Sequence, residues 1–150
     1  EIHATAGSAE KHAHLRGLGV SRLATSRDGA EFEVRARSLV AEHDGGGLDA
    51  VLNSFSHDDY IPRSLALLRQ GGRFLEIGKR GVWSRERMRE ARPDVAYERI
   101  AVDEMLAEDP WRGHACMQRM AERAAAGSLR PIHMQVFEGW GQGVEALRCL

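Results

Sequence analysis

The chain has 150 residues, 43% of them apolar and 29% charged, which is enough for one domain with a real core, or part of one, and too few for two ordinary domains. Basic and acidic residues nearly balance, leaving a formal net charge of −1, so no global field draws the chain to nucleic acid or to an anionic membrane, and no run approaches a membrane span. Cys116 and Cys149 lack the spacing of a zinc site or a disulfide framework, which suits free thiols in a reducing, cytoplasmic setting.

In chain order, Ile2 to Ala6 reads as a short strand, Gly7-Ser8 as its turn, and Ala9 to Leu18 as a helix ended by Gly19. Val20 to Thr25 makes a second strand, followed by the polar loop Ser26-Arg27-Asp28-Gly29. Phe32, Ala36, Leu39 and Val40 fall at helical spacing, which predicts a helix from Phe32 to Glu42 stopped by Gly45-Gly46-Gly47. Asp49 to Asn53 is a third strand, and its unbroken Ala50-Val51-Leu52 predicts burial on both faces. Pro62 suits the first position of a helix that runs through Leu68 to a turn at Gly71-Gly72, and Arg73 to Ile77 is a fourth buried strand.

The later chain is less regular. Val82 to Arg92 mixes Arg85, Arg87, Arg89 and Arg92 with Glu86 and Glu90 before Pro93, and reads as a polar helix or loop. Val95 to Val102 alternates as a strand, with Asp103 at its end. After a short piece from Met105 to Glu108, Pro110 starts a helix through Cys116, Met117, Met120 and Ala124 that Gly127 ends. Leu129 to Phe137, which contains Pro131, is expected as a late edge strand, and Gly143 to Leu150 as the start of a last helix. With no initiator Met at Glu1 and Leu150 inside a helix, the chain is expected to be a piece of a longer polypeptide.

Strand, helix and strand repeating at this spacing predict an α/β protein with a doubly wound parallel sheet. Ligands of such sheets sit at the carboxyl ends of the strands, so Asn53 and Ser54, and then Gly78 and Lys79, are expected to face a crevice. Asn53 and Ser54 could equally cap the next segment, and the two roles are compatible. The scattered histidines, including His12 and His14, lack metal-site spacing, so no metal is expected. Trp83, Trp111 and Trp140 are too dispersed for a nucleic-acid stacking platform, and the arginine-glutamate run reads first as a solvated face.

Several blocks, taken in order, resemble the enoyl reductase domains of modular polyketide synthases, within the medium-chain dehydrogenase/reductase superfamily. They are Ala4-Thr5-Ala6-Gly7-Ser8 with Glu10-Lys11, Leu15-Arg16 with Leu18-Gly19-Val20, Ser26-Arg27-Asp28, Leu52-Asn53-Ser54, and Ser64-Leu65 with Leu67-Leu68. Gly71-Gly72-Arg73-Phe74, Glu76-Ile77-Gly78-Lys79-Arg80, Tyr97 with Val102-Asp103, and Gly127 with Leu129-Arg130-Pro131 complete the series. The resemblance implies that residues 1–150 are part of a Rossmann domain using NADPH to reduce the double bond of an enoyl thioester. That substrate would be carried by the phosphopantetheine of an acyl carrier protein, with neighbouring synthase domains as further partners.

Under that resemblance, strand Ile2 to Ala6 is the second of the sheet, and its end is where an acidic residue would bind the ribose hydroxyls of NAD. Gly7, Ser8 and Lys11 stand there instead, with Ser26 and Arg27 from the next loop, a set that suits a 2′-phosphate. Ser8, Lys11, Ser26, Arg27, Asn53, Ser54 and Gly78 are therefore the expected cofactor contacts. Lys79 is the candidate proton donor, with Asp103 as its acidic companion, although a purely structural salt bridge between them is the alternative. The first strand and Gly-rich phosphate turn are expected before Glu1, so the 150 residues alone are not expected to catalyse.

The match departs from the family's pattern in places. Gly81 stands where an Asp often follows Gly-Lys-Arg, Ser56-His57-Asp58-Asp59 replaces a shorter turn, and no Pro follows Phe137. Two other readings remain open: a catalytically inactive pseudo-reductase kept as a scaffold, and the distal part of a class I methyltransferase, which Asp49 to Ile77 also resembles. Quinone reductases of the same superfamily are close relatives.

Overall fold

The computed structural model describes residues 1–41, 46–55, 59–129 and 135–148. The chain divides into two compact units, Glu1–Val102 and Asp103–Leu150. The first holds all five strands of the described residues, and all their pairings are parallel.

Strand β1 (His3–Ala6) leads into helix α1 (Ala9–Gly17), whose start is fixed by Ser8 Oγ accepting the Lys11 N–H at 3.3 Å. Gly19, at φ 88°, takes the left-handed conformation that lets the chain turn back toward β2 (Arg22–Thr25), which pairs with β1. Asp28 Oδ1 accepts the Glu31 N–H at 2.8 Å at the head of α2 (Gly29–Ala41). The chain then crosses over to β3 (Leu48–Asn53), α3 (Tyr60–Leu65), β4 (Leu68–Glu76), α4 (Arg85–Ala91) and β5 (Ala96–Arg99).

The strands form two sheets, β1-β2 and β3-β4-β5. In the doubly wound order 3-2-1-4-5-6 they take positions two to six. Position one, between β1 and β3, is filled by no strand of the described residues. The strand beside that place departs from expectation. β3 is not buried on both faces: Asp49, Ala50 and Leu52 are exposed, Leu52 at 64%. Its apolar run suits a strand enclosed on both sides, and the described strands pair it with β4 alone.

The core lies where α3 and α4 meet the second sheet. Ile61, Leu65, Leu68, Phe74, Met88 and Val95 form one buried cluster. A second, of Ala24, Phe32, Ala36, Tyr60 and Leu67, joins β2 to α2 and α3, and an ion pair between Arg63 and Glu33 ties the same two helices. Each fully buried side chain such as Phe74 contributes about 1.5–3 kcal/mol.

The predicted Gly71-Gly72 turn is an irregularity inside β4, where the register with β3 jumps from Leu48↔Leu68 to Ala50↔Arg73. Gly71 sits at φ 72°, and its N–H donates to Asp94 Oδ2 at 3.2 Å. Arg92 locks this corner, donating to the carbonyls of Leu65, Leu68 and Arg69 and, through Nε and Nη2, to both oxygens of Asp94 at 2.8 Å. The Arg92 guanidinium holds the Asp94 carboxyl far below the usual carboxylate range.

The predicted strand Val95 to Val102 is shorter, and Asp103 is not at its end. β5 stops at Arg99, and Ile100 N–H makes one last bond to Glu76 O at 2.7 Å. α5 (Val102–Glu108) then takes Asp103 into its first turn. Within the second unit, α6 (Pro110–Ala125) starts with Pro110 at its first turn and Asp109 accepting the Arg112 N–H at 3.0 Å, and it ends just before Gly127 at φ 67°. The expected strand Leu129 to Phe137 falls mostly outside the described residues, and those described from 135 to 138 form no strand. α7 (Gly143–Arg148) matches the expected last helix, whose final two residues also lie outside the described residues.

Candidate functional site

The carboxyl ends of β1 and β2 bring together five residues that the sequence singled out. Register pairs Ala6 with Thr25, and the Ser26 N–H continues the ladder to Ala6 O at 3.2 Å. Arg27 lies across Gly7, with Nε donating to Gly7 O at 3.1 Å and its backbone N–H to Thr25 Oγ1 at 3.1 Å. A Cβ at position 7 would stand 2.5 Å from Arg27 Nε, so the missing side chain is what admits the guanidinium. The guanidinium's two Nη groups make no hydrogen bond among the described residues. Ser8 and Lys11 follow at the start of α1, both exposed, and Ser8 caps that helix. His12, not expected to bind a metal, bonds through Nε2 to Ala6 O at 3.0 Å and fastens α1 to the end of β1.

At the carboxyl ends of β3 and β4 the arrangement is different. Asn53, 4% exposed, donates from Nδ2 to Glu76 Oε2 at 2.7 Å and to Phe55 O at 2.8 Å. Glu76 is fully buried at 0%, and its Oε1 accepts the Gly78 N–H at 2.7 Å. Thus Asn53 and Gly78, separate in the sequence, are joined through a glutamate that stood there only as part of a motif. Its signal was available: Glu76 shares strand parity with Phe74, which faces the core. Ser54 is exposed beside this group.

Lys79 is exposed on the loop that follows β4. That loop is held further along by Tyr97, whose ring packs 6.1 Å from Phe74 and whose hydroxyl donates to Trp83 O at 2.9 Å. Burial, and next the negative charge of Glu76, push the Tyr97 phenol up, which keeps it a hydrogen-bond donor. Arg87 stacks 4.1 Å over the Trp83 ring. Asp103 belongs to the second compact unit. A cavity of about 410 Å³ lies elsewhere, against β2, between His12 and Val34, Arg35 and Ser38 of α2. None of the expected site residues lines it.

Comparison with known proteins identifies the family to which this fold belongs. The family described as zinc-binding dehydrogenase matches residues 18–150. The nucleotide-binding subdomain of the enoylreductase domain of PpsC from Mycobacterium tuberculosis superposes with a TM-score of 0.68 at 30% identity, over 86% of this chain and 70% of that one. The chain belongs to the polyketide synthase enoyl reductases. The CurK enoyl reductase superposes on 99% of this reductase chain with a TM-score of 0.84 and 34% identity, and 43% of its own length is covered. The spectinabilin polyketide synthase system protein NorB of Streptomyces orinoci is 34% identical over 140 residues, 92% of this chain. The reductase chain spans only 5–6% of the length of the first curated relatives it matches, which are large synthases.

The fold is accordingly the Rossmann-like parallel α/β domain of these reductases, and it implies a nicotinamide cofactor. The family's description names zinc, but among the described residues no group of three or more His, Cys, Asp or Glu side chains could hold a metal ion. Zinc enters none of the chemistry below. Among the described residues, no helix is long and apolar enough to cross a membrane.

Proposed function

We propose that residues 1–150 form the NADPH-binding part of an enoyl reductase that reduces the α,β double bond of an enoyl thioester on an acyl carrier protein, within a multidomain synthase. The observation that carries this reading is the pair of polar clusters at the strand ends: a cationic one at Gly7 and Arg27, and a buried one at Asn53, Glu76 and Gly78 immediately before Lys79.

The residues fit the cofactor. At the first cluster no carboxylate takes the place that would bind the two ribose hydroxyls of NAD, where Gly7 and Ser8 stand. Arg27 offers its Nη groups, Lys11 its ammonium, and Ser8 and Ser26 their hydroxyls to a 2′-phosphate. Asn53 and Ser54 stand at the end of β3 for the nicotinamide half, and Gly78 keeps the backbone beside it bare of side chain.

Bound NADPH supplies the hydride that adds to the β-carbon of the enoyl group. Lys79 Nζ gives its proton to the α-carbon, with Asp103 as the acidic companion that the resemblance implies. Within the first unit, β4 and β5 end together, since Glu76 pairs with Arg99 and Ile100 N–H bonds to Glu76 O, three residues before Lys79. In the complete reductase, Lys79→Ala is expected to slow enoyl reduction by about a hundredfold, the scale of one general acid, with NADPH affinity kept. Unchanged turnover would remove Lys79 from proton transfer. Failure of the wild type to bind NADPH would favour the inactive scaffold.

A further inference from the structure

We propose that Glu76 is a positioning residue that fixes Asn53 with its carbonyl oxygen Oδ1 toward the ligand, so that this end of the crevice accepts a hydrogen-bond donor, a ribose hydroxyl or the carboxamide N–H, and does not bind phosphate. The proposal rests on the NADPH reading above and specifies one contact within it.

Hydrogen-bond polarity decides which way the amide faces. Nδ2 of Asn53 lies 2.7 Å from a carboxylate oxygen of Glu76 and 2.8 Å from the carbonyl oxygen of Phe55. Both neighbours are pure acceptors. A half-turn of the amide would set Oδ1 against two oxygens, so only one orientation is satisfied. Both Nδ2 hydrogens are then used, and Oδ1 is the polar atom that Asn53 has left to offer. A group with only an accepting oxygen to present can bind a hydroxyl or an N–H, whereas a phosphate oxygen needs a donor.

That residue 76 is a glutamate matters as much. Burying a carboxylate at 0% exposure is costly, and here two neutral donors, Asn53 Nδ2 and Gly78 N–H, hold it. Glutamine would fill the same volume and accept the Gly78 N–H without that cost. But glutamine could also turn its own NH₂ toward Asn53, and then only Phe55 O would oppose the arrangement with Oδ1 inward and Nδ2 outward. A carboxylate has nothing to donate, so together with Phe55 O it sets two acceptors against that arrangement. The costly residue supplies the second of the two acceptors that disfavour the wrong polarity. Its other oxygen, on Gly78 N–H, ties the same carboxylate to the residue before Lys79.

The test compares two nucleotides on the complete reductase: NADPH, and adenosine 2′,5′-bisphosphate, which carries the phosphate end and lacks nicotinamide. Glu76→Gln is expected to weaken NADPH about fivefold, the loss of roughly one hydrogen bond, with bisphosphate affinity unchanged. Asn53→Ala should show the same selective loss, and the double variant should lose no more than the worse single, because both act through one oxygen. Equal losses for the two nucleotides, which a merely structural role would give, overturn the proposal, and so does an unchanged NADPH affinity. If Glu76→Gln does not fold, the selectivity of Asn53→Ala decides in the same way. A wild type that binds neither nucleotide overturns the NADPH reading and this proposal with it, whereas a wild type that binds both isolates the outcome to Glu76.

Discussion

At the ends of β1 and β2 the polar groups lie mostly in the open, on Ser8, Lys11 and Arg27 with half-buried Ser26; at the ends of β3 and β4 one pair is sealed, Asn53 at 4% and Glu76 at 0% exposure. The first cluster depends on room, since Arg27 rests where a side chain on Gly7 would be. The second depends on polarity, since each donor there has its acceptor and a single exchange leaves an unmatched buried group. A change of charge should therefore cost stability at the sealed end and be felt in ligand binding alone at the open one.

The largest contrast comes from introducing charge. Asn53→Asp would put a second carboxylate against Glu76 and leave Phe55 O without its donor, a loss of about 2–3 kcal/mol in urea unfolding. A change near zero would mean that Asn53 is not sealed. At the open end, Arg27→Gln should leave unfolding within about 0.5 kcal/mol, as surface substitutions usually do. It should instead weaken NADPH about tenfold against NADH, the scale of one charge-assisted hydrogen bond. Titration of both nucleotides would check this, and parallel weakening of the two would take Arg27 away from the 2′-phosphate.

The two ends also differed in how far the sequence disclosed them. Gly7, Ser8, Arg27 and their turn were legible, because a strand ending in Gly-Ser before a helix has few conformations and places its neighbours locally. The parallel topology was legible for the same reason: apolar runs of strand length separated by helical spacing leave little choice. Glu76 was legible only in part: its parity with Phe74 in the expected strand Arg73 to Ile77 turns it inward, but only pairing with β3 across the sheet reveals Asn53 as its partner. The length of β5 was hidden by a similar long-range cause. Val95 to Val102 alternates, but β4 offers its last acceptor to Ile100, and beyond it the chain is free to begin a helix. The burial of β3 on both faces was overestimated because its sequence suits a strand with two neighbours, and β4 is its one partner among the described strands.

The smallest expected effect is the most diagnostic of the open end. Gly7→Ala adds one carbon at a position where it would meet Arg27 Nε at 2.5 Å, too close for any real Cβ contact. The obstacle is a flexible side chain, and Gly7 is not among the glycines at positive φ, so the backbone can accept alanine and the arginine is what must yield. Arg27 then loses its bond to Gly7 O or takes a poorer rotamer, either costing about 1 kcal/mol, which corresponds to roughly fivefold weaker NADPH binding. NADH, without a 2′-phosphate, should be unaffected, and in an Arg27→Gln background the alanine should do nothing more. If Gly7→Ala weakens both nucleotides, the glycine is needed for close approach of the nucleotide to the turn rather than for seating Arg27, and the open end is then built on contact rather than on charge.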